Sequence, residues 1–268
     1  MFDRIILSTD ENFKDFLPIC CKAWKFYFPN TQISVAFVTE REENDSLVKE
    51  MRDFCEVVLF KPVDNISTAN QAKFARHYLA TTYGSDVCMI EDIDTIPLQS
   101  EFYIDRTSKR PANYLLAVGA EVLRNTPDSG KFPISTMTAE SDVFKQFINP
   151  KGESFQERIE SFVGTKVYDH KEDISNPWTS FSDESLMRVL INDSDIRVYH
   201  VDRAVDIKNF WIDRSWWSID PHKLKNNLYV ACNFKRPFLK HYNEFIDIIK
   251  HINNGSEPNI EQFTLKGE

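Results

Sequence analysis

The chain has 268 residues, 42% of them hydrophobic, and its 32 lysines and arginines are outnumbered by 41 aspartates and glutamates for a formal charge of −9. That length can bury the core of one α/β domain or of two small ones. The acidic balance disfavours a general nucleic-acid binder, because phosphate backbones require a positive field, but it leaves room for a nucleotide held through a metal ion. The five cysteines (Cys20, Cys21, Cys55, Cys88 and Cys232) are odd in number and contain no CxxC pair. Neither a disulfide framework nor a thiolate zinc site is indicated, and reduced, buried thiols are expected. No run approaches the roughly 20 apolar residues of a bilayer span, and no signal-type segment is present, so a soluble, cytoplasmic protein is expected.

Arg4–Ser8 reads as a buried strand that ends in the polar cluster Ser8-Thr9-Asp10. Phe13–Phe28 carries a helical apolar face, Ile33–Val38 is a second strand, and Glu42–Phe54 is a charged amphipathic helix with Leu47, Val48 and Met51 inward. Val57–Phe60 is a third strand candidate, Ser67–Thr82 the next helix, and Gly84 resets the chain before the strand Val87–Ile90. This alternation predicts a mostly parallel sheet covered by helices. In such folds ligands gather beyond the carboxyl ends of strands, where Ser8-Thr9-Asp10 and Asp92-Ile93-Asp94 both fall. Beyond Pro97 the pattern loosens. Tyr114–Val118, Ile196–Tyr199 and Leu228–Ala231 read as strands, and Ser141–Phe147, Ser154–Phe162, Asp183–Ile191 and Pro237–Ile252 as helices. A loop is expected around Thr126–Gly130.

The segment Val87-Cys88-Met89-Ile90-Glu91-Asp92-Ile93-Asp94-Thr95-Ile96-Pro97 is the chemically richest. An apolar strand delivers two carboxylates, two residues apart, to a point where Pro97 stops an ordered central strand. Such hard oxygen donors suit Mn²⁺ or Mg²⁺ held against a diphosphate, although Asp-Ile-Asp also reads as a plain polar strand end.

On these residues the chain resembles the nucleotide-sugar-dependent glycosyltransferases of the GT-A type. Ile90-Glu91-Asp92-Ile93-Asp94 looks like their Asp-x-Asp motif, and it is preceded, as in that family, by the helix Asn70-Gln71-Ala72-Lys73-Phe74-Ala75-Arg76-His77-Tyr78. The resemblance covers Ile5–Leu98 and extends more weakly from Asp183-Glu184 onward. It implies a GT-A-like domain over 1–252, with a nucleotide-binding half (1–98), a more irregular acceptor-side half (99–252), and a loosely attached tail at 253–268. It also implies a hexosyl- or pentosyltransferase that uses a nucleoside diphosphate sugar and a glycan or glycoprotein acceptor, of the kind found in viral or microbial glycan synthesis and in protein glycosylation. A viral enzyme of this kind would work in the host cytoplasm.

Carried over residue by residue, the resemblance makes Asp94 the direct metal ligand and Asp92 a residue shared between metal and donor. Arg76, with Lys73 one turn earlier, contacts the base or phosphates, although the pair also reads as a solvated basic helix face, and Leu7, Ser8, Thr9 and Asp10 border the base and ribose. Glu91 points away, because the motif strand alternates its faces. Asp183 takes the acceptor proton in an inverting reaction, with Glu184 as the alternative base or as a sugar-hydroxyl partner, while Ser182 or Asp183 also reads as a helix cap. In a retaining reaction this position faces the donor sugar instead. Val230-Ala231-Cys232-Asn233-Phe234-Lys235-Arg236-Pro237 looks like the family's C-terminal metal segment but lacks its histidine and glycine, leaving Lys235 or Arg236 to face the diphosphate. His222, and less so His200, are substitutes for that histidine. Phe210–Trp217 reads as an aromatic acceptor wall or as core, with Asp213 and Arg214 toward acceptor hydroxyls, and Pro133–Thr138 lines the same cleft. Two other readings stay open: a non-catalytic carbohydrate-binding protein of the same fold, and a metal-dependent nucleotidyltransferase or sugar-nucleotide hydrolase.

Overall fold

The computed structural model describes residues 2–119, 132–162, 183–202, 210–255 and 264–265. Strand β1 (Arg4–Asp10) sits between β2 (Gln32–Val38) and β4 (Val87–Ile90), parallel to both, and β3 (Glu56–Phe60) extends the sheet beyond β2. On the other side β4 pairs antiparallel with β7 (Met137–Glu140), which pairs antiparallel with β6 (Tyr114–Val118), and β8 (Arg197–Val201) closes the row parallel to β6. The order is β3-β2-β1-β4-β7-β6-β8, a mostly parallel mixed sheet with β7 the reversed strand. A second sheet, β5-β10-β9, joins Thr95–Pro97, Ala231–Asn233 and Trp211–Ile212.

Alternation along β1 builds a core on each face. Ile5 and Leu7 pack on one side with Phe16, Trp24 and Phe245, and Ile6 on the other with Phe74, Ile90 and Leu115. Helix α1 (Leu17–Tyr27) covers the first face and α3 (Thr68–Leu79) the second. Proline in the first turn of α1 sets its start, and the Ser67 hydroxyl caps α3 by accepting from the Asn70 amide.

The differences from the sequence reading have local causes. The helix expected over Glu42–Phe54 is α2 (Ser46–Arg52), because Asp45 takes the capping role and accepts from the Leu47 amide at 2.8 Å. The polar cluster Ser8-Thr9-Asp10 is part of β1, paired through Asp10 with Val38. The strand expected at Leu228–Ala231 lies at Ala231–Asn233. Pro97 is, as read from the sequence, in no central strand: it is the last residue of β5, an edge strand, where a missing amide costs no ladder bond. Unforeseen were β5, β7, β9 and the helices Ser100–Thr107 and Pro221–Lys225. The loop expected at Thr126–Gly130, with Trp178 and Ser180–Ser182, lies outside the described residues. So does most of the expected tail, although Leu265 packs against the α1-side core. Among the described residues no helix is long and apolar enough to cross a membrane.

Candidate active-site cleft

A cleft of about 290 Å³ opens at the carboxyl ends of β1 and β4, the position at which open α/β sheets take ligands. Five carboxylates (Asp10, Asp92, Asp94, Asp183 and Glu184) and four cations (Lys73, Arg76, Arg214 and Arg236) line it, with Ser8, Thr9, Phe13 and Ile134 among the rest. Residues separated by more than 200 positions thus meet in one space.

β1 supplies the first wall. Asp10 accepts from the Asn12 amide and side chain, both at 3.0 Å, and from the Thr68 hydroxyl at 2.8 Å. It therefore ties the loop after β1 to the first turn of α3. Leu7, expected here, is fully buried in the core and does not line the cleft, because the strand's alternation turns its side chain toward α1.

The second wall is the turn between β4 and β5. The Thr95 amide donates to the Asp92 carbonyl, and the Phe234 amide to the Asp94 carbonyl at 2.9 Å, fixing Asp92 and Asp94 against β10. Arg76, from α3, bridges this turn to the helix Asp183–Asn192: one guanidinium nitrogen pairs with Asp92 and another donates to Asp183 at 2.7 Å. The Asp183 half of the bridge is dry, with Arg76 and Asp183 side chains 3% and 5% exposed, whereas the Asp92 side chain is 31% exposed. Burial pushes the Asp183 carboxyl up, but Arg76, His77 and Lys73 outweigh it and hold the group well below the usual carboxylate range. Burial likewise raises Asp92, and Arg76 reverses the sign. Burial disfavours charge on Arg76 as well, yet Asp92 and Asp183 keep it firmly protonated. His77, against Asp183 at 3.5 Å, is driven by burial toward its neutral form.

Asp94 is enclosed. Its side chain is fully buried, and its Oδ2 accepts from Arg214 at 2.5 Å and from Arg236. Its Oδ1 is buried without a hydrogen-bond partner among the described residues. The guanidinium of Arg236 also lies over the Phe13 ring, 5.0 Å from its centroid. Arg214, expected toward acceptor hydroxyls, and Arg236, expected toward a diphosphate, therefore share one carboxylate here.

Glu91 is buried away from the cleft and accepts from the Thr136 hydroxyl, as strand alternation predicts. Ile134 is the member of Pro133–Thr138 that reaches the cleft. Neither His222 nor His200 lines it, and no group of three or more His, Cys, Asp or Glu among the described residues is arranged to hold a metal. The aromatic run divides: Trp211 is core, Trp217 packs beside Phe234 and Phe245, and Trp216 is 48% exposed. His77 and Thr68 were missed by the sequence reading. Their signal was weak, since each is an ordinary α3 residue until its partners arrive from β1 and from residue 183.

No protein-family model and no curated protein matches this sequence. Solved structures do resemble it. The glycosyltransferase GlyE of Streptococcus pneumoniae aligns over 95% of this chain and 63% of its own, at 10% identity and a TM-score of 0.51. The fold is GT-A-like. The galactosyltransferase LgtC, solved with donor and acceptor sugar analogs, aligns over 96% of this chain and 98% of its own, at 13% identity and a TM-score of 0.49. A nucleotidyl transferase of Methanothermobacter aligns over 95% of this chain and 99% of its own, at 11% identity and a TM-score of 0.45. In this GT-A-like frame the cleft lies where β1, β4 and α3 converge, and this chain spans about two-thirds of GlyE's length.

Proposed function

We propose that this protein is a glycosyltransferase that moves a sugar from a nucleoside diphosphate sugar to a hydroxyl of a glycan or glycoprotein acceptor. The observation that carries this reading is the convergence of Asp10, Lys73, Arg76, Asp92, Asp94 and Asp183 on one cleft of a GT-A-like sheet. Ser8, Thr9 and Asp10 border the base and ribose from the end of β1, where Asp10 also ties down the loop that follows. Lys73 offers charge to the phosphates. Arg76 is committed to its two carboxylates and acts by holding Asp92 in register.

Asp92 and Asp94 fit a divalent cation, Mn²⁺ or Mg²⁺, because the unpartnered buried Oδ1 of Asp94 is a hard oxygen donor on the wall that also bears Asp92. With two protein carboxylates, the remaining ligands would come from donor phosphates and water. A cation held there supplies charge stabilisation to the departing nucleoside diphosphate.

Of the two acids that open the helix Asp183–Asn192, Asp183 is the poorer base. Its pairing with Arg76 and its lowered proton affinity make it reluctant to take a proton. We therefore assign the acceptor proton in an inverting course to Glu184, and to Asp183 the task of anchoring Arg76. The exposed ring of Trp216, two residues from Arg214, offers an apolar face for an acceptor sugar.

The test is a screen of nucleotide sugars with Mn²⁺ and a panel of glycan acceptors, followed by product and anomer analysis. Transfer with release of a nucleoside diphosphate supports the proposal, and the anomer decides between inversion and retention. Release of pyrophosphate would select a nucleotidyltransferase, donor cleavage without transfer a hydrolase, and sugar binding without turnover a carbohydrate-binding protein.

A further inference from the structure

We propose that Arg214 and Arg236 form a two-position clamp, held on Asp94 in the arrangement described above and transferred to the phosphate oxygens of a bound nucleoside diphosphate, so that Asp94 accepts a divalent cation only as the nucleotide arrives. The proposal rests on the glycosyltransferase reading and adds to it a device made of this chain's own residues.

The first observation is the lopsided use of Asp94. A carboxylate has acceptor positions on both oxygens, yet both guanidiniums converge on Oδ2 while Oδ1 stays buried and unpartnered. Two like charges are held side by side and one acceptor is left dry. Both features cost free energy, so this arrangement is readily exchanged for a better one.

The second observation is which partner faces the cleft. The Asp94 side chain is 0% exposed, whereas those of Arg214 and Arg236 are 35% and 28% exposed. An incoming anion therefore meets the two cations before it meets the carboxylate. The arginines arise from different segments, one from the short 3₁₀ helix after β9 and the other from the residues after β10, so either can turn without the other. Arg236 keeps a contact with Phe13, itself a cleft residue, in the closed position.

The third is electrostatic. While both arginines sit on Asp94 they mask its charge from a divalent cation and present their own charge to a diphosphate. Once the arginines move to phosphate, the charge of Asp94 is exposed to the cation. The two ligands then favour each other's binding, and the coupling is reciprocal.

Free Mn²⁺ is measured by electron paramagnetic resonance as the intact protein is titrated, alone and with UDP, GDP, CDP, ADP or inorganic pyrophosphate. Nucleotide affinity is measured by calorimetry with and without Mn²⁺. Protein-free titrations supply the correction for complexes formed in solution. In the wild type, Mn²⁺ alone is expected to bind weakly, and the preferred diphosphate to tighten it about tenfold or more. Arg214→Gln and Arg236→Gln each leave one arginine on Asp94 and should preserve the fold. Each is expected to bind Mn²⁺ alone several-fold more tightly and the diphosphate about tenfold more weakly, with reduced coupling. Arg214→Lys, which keeps the charge, should recover much of the diphosphate affinity. The exchange stands only if the two affinities move in opposite directions. If the wild type binds a diphosphate and the variants change neither affinity, or only one, the arginines are structural struts and the clamp is wrong. If the wild type binds none of the diphosphates, the glycosyltransferase reading itself falls.

Discussion

Replacing Arg76 by methionine tests the electrostatic centre of the cleft. The substitution keeps much of the side chain's volume and removes the cation between Asp92 and Asp183. Breaking a buried ion pair from one side costs about 3–5 kcal/mol, because it strands a charge away from water. The lower end applies here: Asp183 keeps His77 at 3.5 Å and the amino end of its own helix, and the Asp92 side chain is 31% exposed and regains water. A loss of about 3 kcal/mol at neutral pH is expected, a large share of the roughly 5–15 kcal/mol that holds such domains folded. Urea unfolding followed by tryptophan fluorescence measures it. The cost is tied to charge, so it depends on pH. In the wild type the lowered Asp183 proton affinity contributes stability that is complete above the ordinary carboxylate value of about 4 and is lost as pH falls through the folded value. Without Arg76 burial is opposed only by His77, Lys73 and the helix end, so much of the stability that the Asp183 charge contributes above about pH 4 is lost and the cost of the substitution grows with pH from there upward. Adding Asp183→Asn should therefore restore about 2 kcal/mol at neutral pH and little near pH 4. A single variant that loses less than about 1 kcal/mol, or a double variant no more stable than the single, would refute the assignment.

Three further outcomes are expected. Asp94→Asn should lower transfer about 100-fold or more while costing only about 1–2 kcal/mol in denaturant melts, since Arg214 and Arg236 can turn to water. Undiminished metal-dependent turnover in D94N would sink its role. Burial lowers the proton affinity of His77 and His251, so the unfolded chain binds protons first, and stability should decline as pH drops below about 6.5; His77→Gln should flatten that decline, and an unchanged slope would contradict it. Trp216→Ala should shift unfolding by no more than about 0.5 kcal/mol but raise the acceptor KM several-fold with donor hydrolysis unaffected, and an unaltered acceptor KM would return Trp216 to a plain surface role.

The first 98 residues were the more legible half. Their strands and helices are long enough for apolar periodicity to show, and the strand ends carrying Asp10 and Asp92–Asp94 follow from that alternation. The shortest strands were harder to read, including β5 at the end of that stretch. β5, β9 and β10 have only two or three residues each, too few for a period, and each exists because another supplies its hydrogen bonds. Leu7 shows the limit of placing a residue by neighbourhood alone: it sits beside Ser8 in sequence, and the pleat turns it into the core.

The sequence by itself determined the parallel βα arrangement and the presence of paired carboxylates at its ligand-binding end, because both follow from short-range periodicity and residue type. Only the tertiary structure decided how those carboxylates are neutralised. Arg76 reaches Asp183 across 107 positions, Arg214 reaches Asp94 across 120, and Arg236 reaches it across 142. Charge pairing acts through space and through local dielectric, so the chemical state of each acid emerges only when the chain has brought its distant cation beside it.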